Sequence, residues 1–418
     1  MIIVDTEIND LLKVLVHSPD SGIGRITPKR AEELLFDDIV YLPKMVEEHD
    51  TFRYVLEAFL GQDNVIEIAE LLEEALKHST ELKAELLKTV IEDEELPVST
   101  ISKISNLTDD KLAEVLVTGY LKKEDHILFD PIPNFIFTRD IAVTVKDHII
   151  ITKANKVARQ RENYLTRFIF AAHPLFKDQK LKLIDLNNVE LFPPSRKGER
   201  VSIEGGDIMM IEKDYLLVGT SERTTGHAFD SIKKYLLDNK IIKNIVQINI
   251  PPDRSFMHID TLFTRVSKDD IVCYKPIIYD GLGSNVLVYN ESGLKNSYAS
   301  VKDFFLNEIN PNMNFIFSGM GETPYQEREQ WTDGCNLVCV KPGIGITYDR
   351  NIITAKAFEK AGYDIVHADD FLKQHQSDSN YASNLSKTII AIPSGELSRA
   401  RGGSHCMTCP ILRTVTNV

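Results

Sequence analysis

The stretch RGGSHCMTCPILR, residues 401–413, holds two of the chain's five cysteines, a histidine and a pair of glycines. Cys406 and Cys409 form C-x-x-C, and Cys335 and Cys339 form C-x3-C. Four thiolates at such spacings suit a zinc site, and a lone C-x-x-C suits a redox pair. A single nucleophilic thiol at Cys406 is the third chemistry, and the neighbours favour it. Cys339 falls inside the strand-like NLVCVKP, where alternation turns it away from the adjacent face. Neither pair carries the Gly or Pro knuckle of a zinc ribbon, and no βαβ pattern follows the C-x-x-C. Gly402, Gly403 and His405 make the surroundings of Cys406 read as a mobile, polar and accessible loop, the setting of a reactive thiol. Cys273, Cys339 and Cys335 read as buried and inert. Structural zinc remains the competing reading, decided by metal content.

Three further motifs carry titratable groups: FTRD ending at Asp140, EGGD with Glu204 and Asp207, and HID with His258 and Asp260. Each is weak alone. A turn Asp beside Arg is commonly an ion pair, and Gly-Gly-Asp commonly marks a turn. His258 and Asp260, two residues apart in an extended segment, share a face. Their common phase in a repeat makes the set specific.

That repeat comes from the elements around them. RDIAVTVKDHIIITKAN, GDIMMIEKDYLLVGTSER, IDTLFTRVSKDDIVCYKP and CNLVCVKPGIGITYDRN each place a polar residue, then an apolar strand, a short turn and a second strand. The polar residues are Asp140, Asp207, Asp260 and Asn336, so the intervals are 67, 53 and 76 residues. Helical patterns such as RENYLTRFIFAA and TTGHAFDSIKKYLL follow at least three of the hairpins. Spacing this irregular excludes a solenoid and suits the units of a closed α/β ring. The strand KVLVHS near residue 13 and the terminal CMTCPILR are placed to complete a fifth unit by joining the chain ends. Residues at equivalent positions in rotationally related units meet about the common axis, so two carboxylates, a histidine and a cysteine are predicted to converge.

Residues 44–60 have helical apolar spacing. Residues 67–122 carry only amphipathic helical stretches, with TDDK as a cap and acidic first turn. They read as a helical subdomain inserted between residues 1–66 and 123–418. The 418 residues, 43% apolar and 26% charged, are ordinary globular composition. A formal charge of −14 argues against a nucleic-acid partner, since phosphate binding needs basic surface. No apolar run approaches the roughly 18 residues of a membrane span. No basic region followed by an apolar stretch opens the chain, and the cysteines are few and odd in number, so a cytoplasmic location with reduced thiols is expected.

In order, NFIFTRD, SIEGGDIM, MHIDT, EREQWTDGCN, YDRN and RGGSHCMTCPILR, together with TPKRAEELLFDD near the start, resemble the arginine deiminases of the guanidino-group-modifying superfamily. The resemblance spans the chain. It implies a five-bladed pseudo-symmetric α/β propeller (the pentein fold) with an added helical domain, and hydrolysis of L-arginine to citrulline and ammonia in arginine catabolism. It implies Cys406 as nucleophile, Asp140 and Asp260 as the grip on the guanidinium, and His258 as general acid and base with Glu204 beside it. Arg159 and Arg223 match positions that hold the substrate carboxylate; Asn134, Phe137 and Leu35 match further substrate contacts; Arg401 lies in a closing loop. No metal or other cofactor is expected, and homo-oligomerisation is left open. Three departures stand out: Ala400 and Ser404 where glycine is usual, Ile141 and Ala142 after Asp140, and a polar stretch at 374–390 that reads as an inserted surface loop.

The chemistry is consistent with elementary principles. A guanidinium is planar and stays cationic at neutral pH, and paired carboxylates fix its N–H groups. Its charge also stabilises a nearby thiolate, which then attacks the central carbon. The same site serves a methylated arginine or a ureido compound as an alternative substrate. A silent arginine-binding relative is the alternative from another class, disfavoured because a sensor needs no nucleophile.

Overall fold

The computed structural model describes residues 1–122, 126–177 and 182–415. The four predicted hairpins are antiparallel pairs: Ala142–Val145 with His148–Ile151, Ile208–Glu212 with Tyr215–Thr220, Phe263–Arg265 with Asp270–Cys273, and Val338–Lys341 with Ile344–Tyr348. In each, the second strand takes a parallel partner further along the chain: Lys182–Asp185, Asn244–Asn249, Asn314–Phe317 and Thr388–Ile392 respectively. Parallel pairing needs a crossover rather than a tight turn. Helices supply it, including Gln160–Ala172, Gly226–Asp238 and Ile352–Lys360. Strands such as Ala142–Val145 and Thr388–Ile392 are buried along their whole length, which is why they read as unbroken apolar runs.

The chain ends build a sheet of the same kind. Leu11–Val16 pairs antiparallel with Cys409–Arg413 and parallel with Val65–Glu67, and the helix Leu42–Leu60 lies between the two parallel strands in sequence. Its Cys409 end starts three residues after Cys406, so this pairing fixes where the thiol sits. Among the described residues, five sheets of three to five strands result, beside a two-stranded one.

Four helices occupy the stretch expected to be helical: Ile68–His78, Thr80–Asp93, Val98–Ser105 and Asp109–Thr118. Asp109 and Asp110 lie in the first turn of the last of these, favourable to the helix dipole. Leu72, Leu76, Leu86, Val90 and Leu116 share one core with Phe168 and Ile169 of Gln160–Ala172. The helices therefore pack on the element that carries Arg159 at its start. The expected boundary at residue 123 lies outside the described residues.

The stretch 374–390 is not a plain surface loop. Gln374–Ser377 end the helix Ala368–Ser377, Tyr381–Asn384 form another helical turn, and Thr388 already belongs to the buried strand Thr388–Ile392. The Ser/Asn-rich composition reflects exposure of the short helical turn and its flanks, and the apolar TII belongs to the sheet.

Candidate active site

Each hairpin is entered through a tight turn, and these turns hold the chemistry. Asp140 lies in Thr138–Ile141, Asp207 in Gly205–Asp207 and Asp260 in Ile259–Thr261. Asn336 and Cys406 precede the remaining two sheets. A circuit of hydrogen bonds links the five turns. Arg139 N–H donates to the Cys406 carbonyl at 3.0 Å, and Gly206 N–H to Asp140 Oδ1 at 3.1 Å. Ile259 N–H donates to Asp207 Oδ1 at 2.9 Å, and Asn336 Nδ2 to the Asp260 carbonyl at 3.1 Å. Cys406 N–H donates to Asn336 Oδ1 at 3.1 Å and closes the loop. Asp207, read in sequence only as a turn residue, is structural: its second oxygen accepts from Ser221 and Thr224, each at 2.6 Å. Gly206 is required by proximity, because a Cβ there would lie 2.7 Å from His258 Nδ1.

The thiol is buried, not accessible as its glycine-rich surroundings suggested. Cys406 is 4% exposed, and the turn around it is packed throughout. Gly403 serves close packing rather than motion, since a Cβ there would meet the Asn336 carbonyl at 2.4 Å. Ser404 is an anchor: it donates to the Ile346 carbonyl at 2.6 Å and accepts from Val338 N–H at 3.0 Å.

Cys406 Sγ lies 3.5 Å from Asp260 Oδ2 and 3.2 Å from Asn336 Nδ2. Burial, then the carboxylates Asp260, Asp140 and Asp333, hold the thiol well above its ordinary pKa, and the Asn336 donor pulls the other way. The free site thus keeps sulfur protonated. Asp260 Oδ2 accepts from His405 Nδ1 at 2.9 Å, and His405 Nε2 lies 3.1 Å from Glu7 Oε2. Glu7 in turn pairs with Arg139. Asp260 Oδ1 is buried with no hydrogen-bond partner. An unpaired buried carboxylate oxygen costs free energy and invites a donor.

His258 Nε2 lies 2.9 Å from Glu204 Oε2, and Nδ1 lies 3.7 Å from Asp140 Oδ1. Burial opposes the imidazolium, but Asp140, Glu204 and Asp207 prevail and raise His258 to about 10. Burial likewise opposes ionisation of Glu204, yet Arg159, His258 and Arg223 hold it well below the usual carboxylate range. Arg159 Nη1 donates to Asp140 Oδ2 at 2.8 Å and to Glu204 Oε2 at 3.1 Å, and its Nε donates to Glu162 Oε2 at 2.9 Å. Arg159 therefore occupies a carboxylate cage. Arg223 is freer: its Nη1 lies 4.0 Å from Glu204 Oε1, its Nη2 contacts Met257 Sδ at 3.8 Å, and its Nε has no hydrogen-bond partner.

Leu35, Asn134, Phe137, Asp140, Arg159, Glu204, Arg223, His258, Arg401 and Cys406 line one cavity of about 30 Å³. On that measure it holds no more than about two waters. Asp260 is not among the lining residues, and its Oδ2 lies 3.5 Å from the thiol that is. Asn134 Nδ2 donates to the Leu34 carbonyl at 2.7 Å, tying the turn at Leu35 to the site. Leu35 and Arg401 both take positive φ, at 58° and 61°, a strained conformation for residues with side chains. The Arg401 guanidinium lies 3.3 Å over the Trp331 ring, with Nε and Nη1 lacking hydrogen-bond partners. Both segments contribute to the cavity lining.

Among the described residues, one cluster has metal-ligand chemistry: Asp140, Glu204 and His258, with ligand atoms within 4.8 Å of one another. Arg159 already brings a positive charge to both of its carboxylates. The cysteines are all free, and Cys409 Sγ lies 3.2 Å from the Ala142 carbonyl, outside any thiolate cluster.

Sequence reasoning missed three contributors. Asn336 shares the repeat phase of Asp140 and Asp260, a signal that was available. Glu162 sits three residues after Arg159 on a helix, also a readable spacing. Glu7 gave no signal, because its partner His405 is 398 residues away.

A family model described as arginine deiminase matches residues 32–413. Arginine deiminase of Borrelia garinii is 31% identical over 438 residues, covering 98% of this chain and 97% of that protein. The arginine deiminase of Listeria monocytogenes serotype 4b is 31% identical over 437 residues, with the same coverages. Among solved structures, an amidinotransferase of saxitoxin biosynthesis from Microseira wollei is similar with TM-score 0.55 at 14% identity, covering 99% of this chain and 98% of that one. The N-terminal domain of a cyanobacterial arginine dihydrolase, bound to product, has TM-score 0.51 at 14% identity, with coverages of 97% and 98%. At such identities the two structures show a shared α/β fold.

Proposed function

The chain belongs to the arginine deiminase family, and from that premise we propose that it hydrolyses L-arginine to L-citrulline and ammonia through a covalent adduct on Cys406. The observation that carries the reading is the Cys406 sulfur 3.5 Å from a buried carboxylate, Asp260, whose other oxygen is unpartnered. A guanidinium held by Asp260 and Asp140 satisfies that oxygen and cancels the field that keeps the thiol protonated. Substrate binding and nucleophile activation are then the same event. The thiol proton leaves to solvent as the guanidinium binds, and the Cys406 sulfur attacks the guanidinium carbon: a C–S bond forms as the C=N π pair moves onto nitrogen. The tetrahedral adduct collapses with cleavage of one C–N bond, and the leaving nitrogen takes a proton from His258 and departs as ammonia. His258, now neutral, removes a proton from water, which attacks the same carbon. The C–S bond breaks as the adduct's hydroxyl becomes the ureido carbonyl, its proton passes to the departing sulfur, and citrulline leaves with the thiol restored. Glu204 holds His258 by its Nε2 and favours its charged form.

Arg223, with its Nε unpaired, is the readier partner for the α-carboxylate. Arg159 serves that carboxylate after loosening from Asp140, which the arriving guanidinium claims. Asn134, Phe137 and Leu35 shape the wall, and Arg401 closes it. A cavity of about 30 Å³ admits no arginine, so the Leu35 and Arg401 segments move on binding. The closed hydrogen-bond circuit through five turns supports a five-bladed ring built from residues 1–66 and 123–418. Residues 67–122 form an attached helical subdomain in this reading. L-Arginine is the partner, and the working place is the cytoplasm.

The test is quantification of citrulline and ammonia from L-arginine. Equimolar products from the wild type, loss in Cys406→Ser and retention in Cys409→Ser are expected. No product from the wild type, or unchanged turnover in Cys406→Ser, overturns the reading.

A further inference from the structure

Beside the active site, and separated from it by the segment 153–156, lies a second cavity of about 460 Å³. Lys153, Lys156, Arg167 and Arg200 line it, and no carboxylate does. In a chain with 62 acidic and 48 basic residues, a cavity wall with four cations and no anion is a marked local inversion. Two of the four have partners: Arg167 pairs with Asp185 at 2.7 Å and Lys156 with Glu222 at 3.7 Å. Among the described residues, Lys153 and Arg200 have no carboxylate at ion-pair distance. Burial, and then the charge of Arg200, push the Lys153 pKa below its ordinary value.

The floor points the same way. Asn163 is 6% exposed and lines the cavity. Its Oδ1 accepts from Ala154 N–H at 3.5 Å, and among the described residues its Nδ2 has no acceptor. An amide donor on a cavity lining is available to a ligand or water there. Phe192 and Tyr164 add aromatic surface. The volume falls in the range of small-molecule sites, about 300–1,000 Å³.

We propose that this cavity binds a small molecule carrying at least two negative charges, as phosphoryl or carboxylate groups, held by Lys153, Arg200 and Asn163. The site is coupled to the thiol site through its own wall. Asn155 N–H points at Glu204 Oε1 at 3.4 Å, and Ser202 Oγ donates to the Arg223 carbonyl at 2.8 Å. Asn163 adjoins Glu162, the carboxylate that holds Arg159. An anion that draws the segment 153–156 toward Arg200 shifts the donor on Glu204 and the backbone under Arg223, and so the affinity for arginine. Only this coupling rests on the proposed arginine chemistry; binding does not.

The test is calorimetric titration of the full chain with inorganic pyrophosphate and, separately, citrate, against sodium chloride at matched ionic strength. Saturable binding of at least one anion is expected, weakened at least about tenfold in the double variant Lys153→Gln, Arg200→Gln. Binding of pyrophosphate alone assigns phosphoryl groups; binding of both assigns paired negative charge of either kind. Absence of saturable binding, or equal binding by the double variant, overturns the site. With arginine as substrate, a saturating anion is expected to shift KM at least about twofold in the wild type and not in the double variant. An unshifted KM with binding intact overturns the coupling. Absence of arginine turnover speaks against the proposed function and leaves the titration to decide the site.

Discussion

Asn336 holds Cys406 at two points: its Oδ1 accepts the Cys406 backbone N–H at 3.1 Å, and its Nδ2 lies 3.2 Å from Sγ. Burial and three carboxylates disfavour the thiolate, and Asn336 is the neighbour that favours it. A hydrogen bond to a charged group contributes about 1.5–3 kcal/mol, or roughly tenfold to about 150-fold in rate. Asn336→Ala is therefore expected to lower kcat/KM for arginine by that factor and to move the alkylation pKa of Cys406 upward. Unchanged alkylation and turnover would remove Asn336 from the account.

Asn336 also shows where the sequence was legible. The phase of Asp140, Asp207, Asp260 and Asn336 marked the turns that meet, and two-residue alternation marked the hairpins. The thiol's surroundings were misread because glycine signals both mobility and close packing, and only the neighbours distinguish them. At Gly403 the neighbour is the Asn336 backbone, 67 residues away. The Glu7–His405–Asp260 chain was unreadable for a similar reason: it joins three distant segments, and no local periodicity registers it. The side-chain pairing of Arg159 with Asp140, Glu204 and Glu162 likewise belongs to tertiary packing.

The pH dependence follows from His258. Its pKa is raised from 6.5 to about 10, and the general acid must carry its proton. The charged form therefore persists through neutrality and is lost as pH rises through about 10. The rate is expected to show no fall between about pH 6 and 8 from loss of the acid, with the alkaline limb toward 10. Glu204→Gln removes the partner at 2.9 Å and is expected to draw that limb toward neutrality. Profiles of kcat for both proteins check this; an alkaline limb near 6.5 in the wild type would contradict it.

The contrast between Arg223 and Arg159 predicts a split. Losing a hydrogen-bonded charge contact costs about 2–5 kcal/mol. Agmatine, which lacks the carboxylate, is expected to be processed at least about a hundredfold less efficiently than L-arginine. Arg223→Ala should narrow that ratio. Arg159→Ala removes the guanidinium shared by Asp140 and Glu204, and should lower kcat for both substrates. Equal efficiencies for arginine and agmatine in the wild type would sink the carboxylate clamp.

In this mechanism Cys406 becomes covalently bound to the substrate carbon, and intact-mass spectrometry reads that adduct. Wild-type protein mixed with saturating L-arginine is quenched in acid from milliseconds to steady state, then mapped by peptide. A mass increment equal to arginine less ammonia is expected on the peptide carrying Cys406, and none in Cys406→Ser. Steady citrulline production with Cys406 unmodified at every quench time, or the adduct on Cys409, would contradict it.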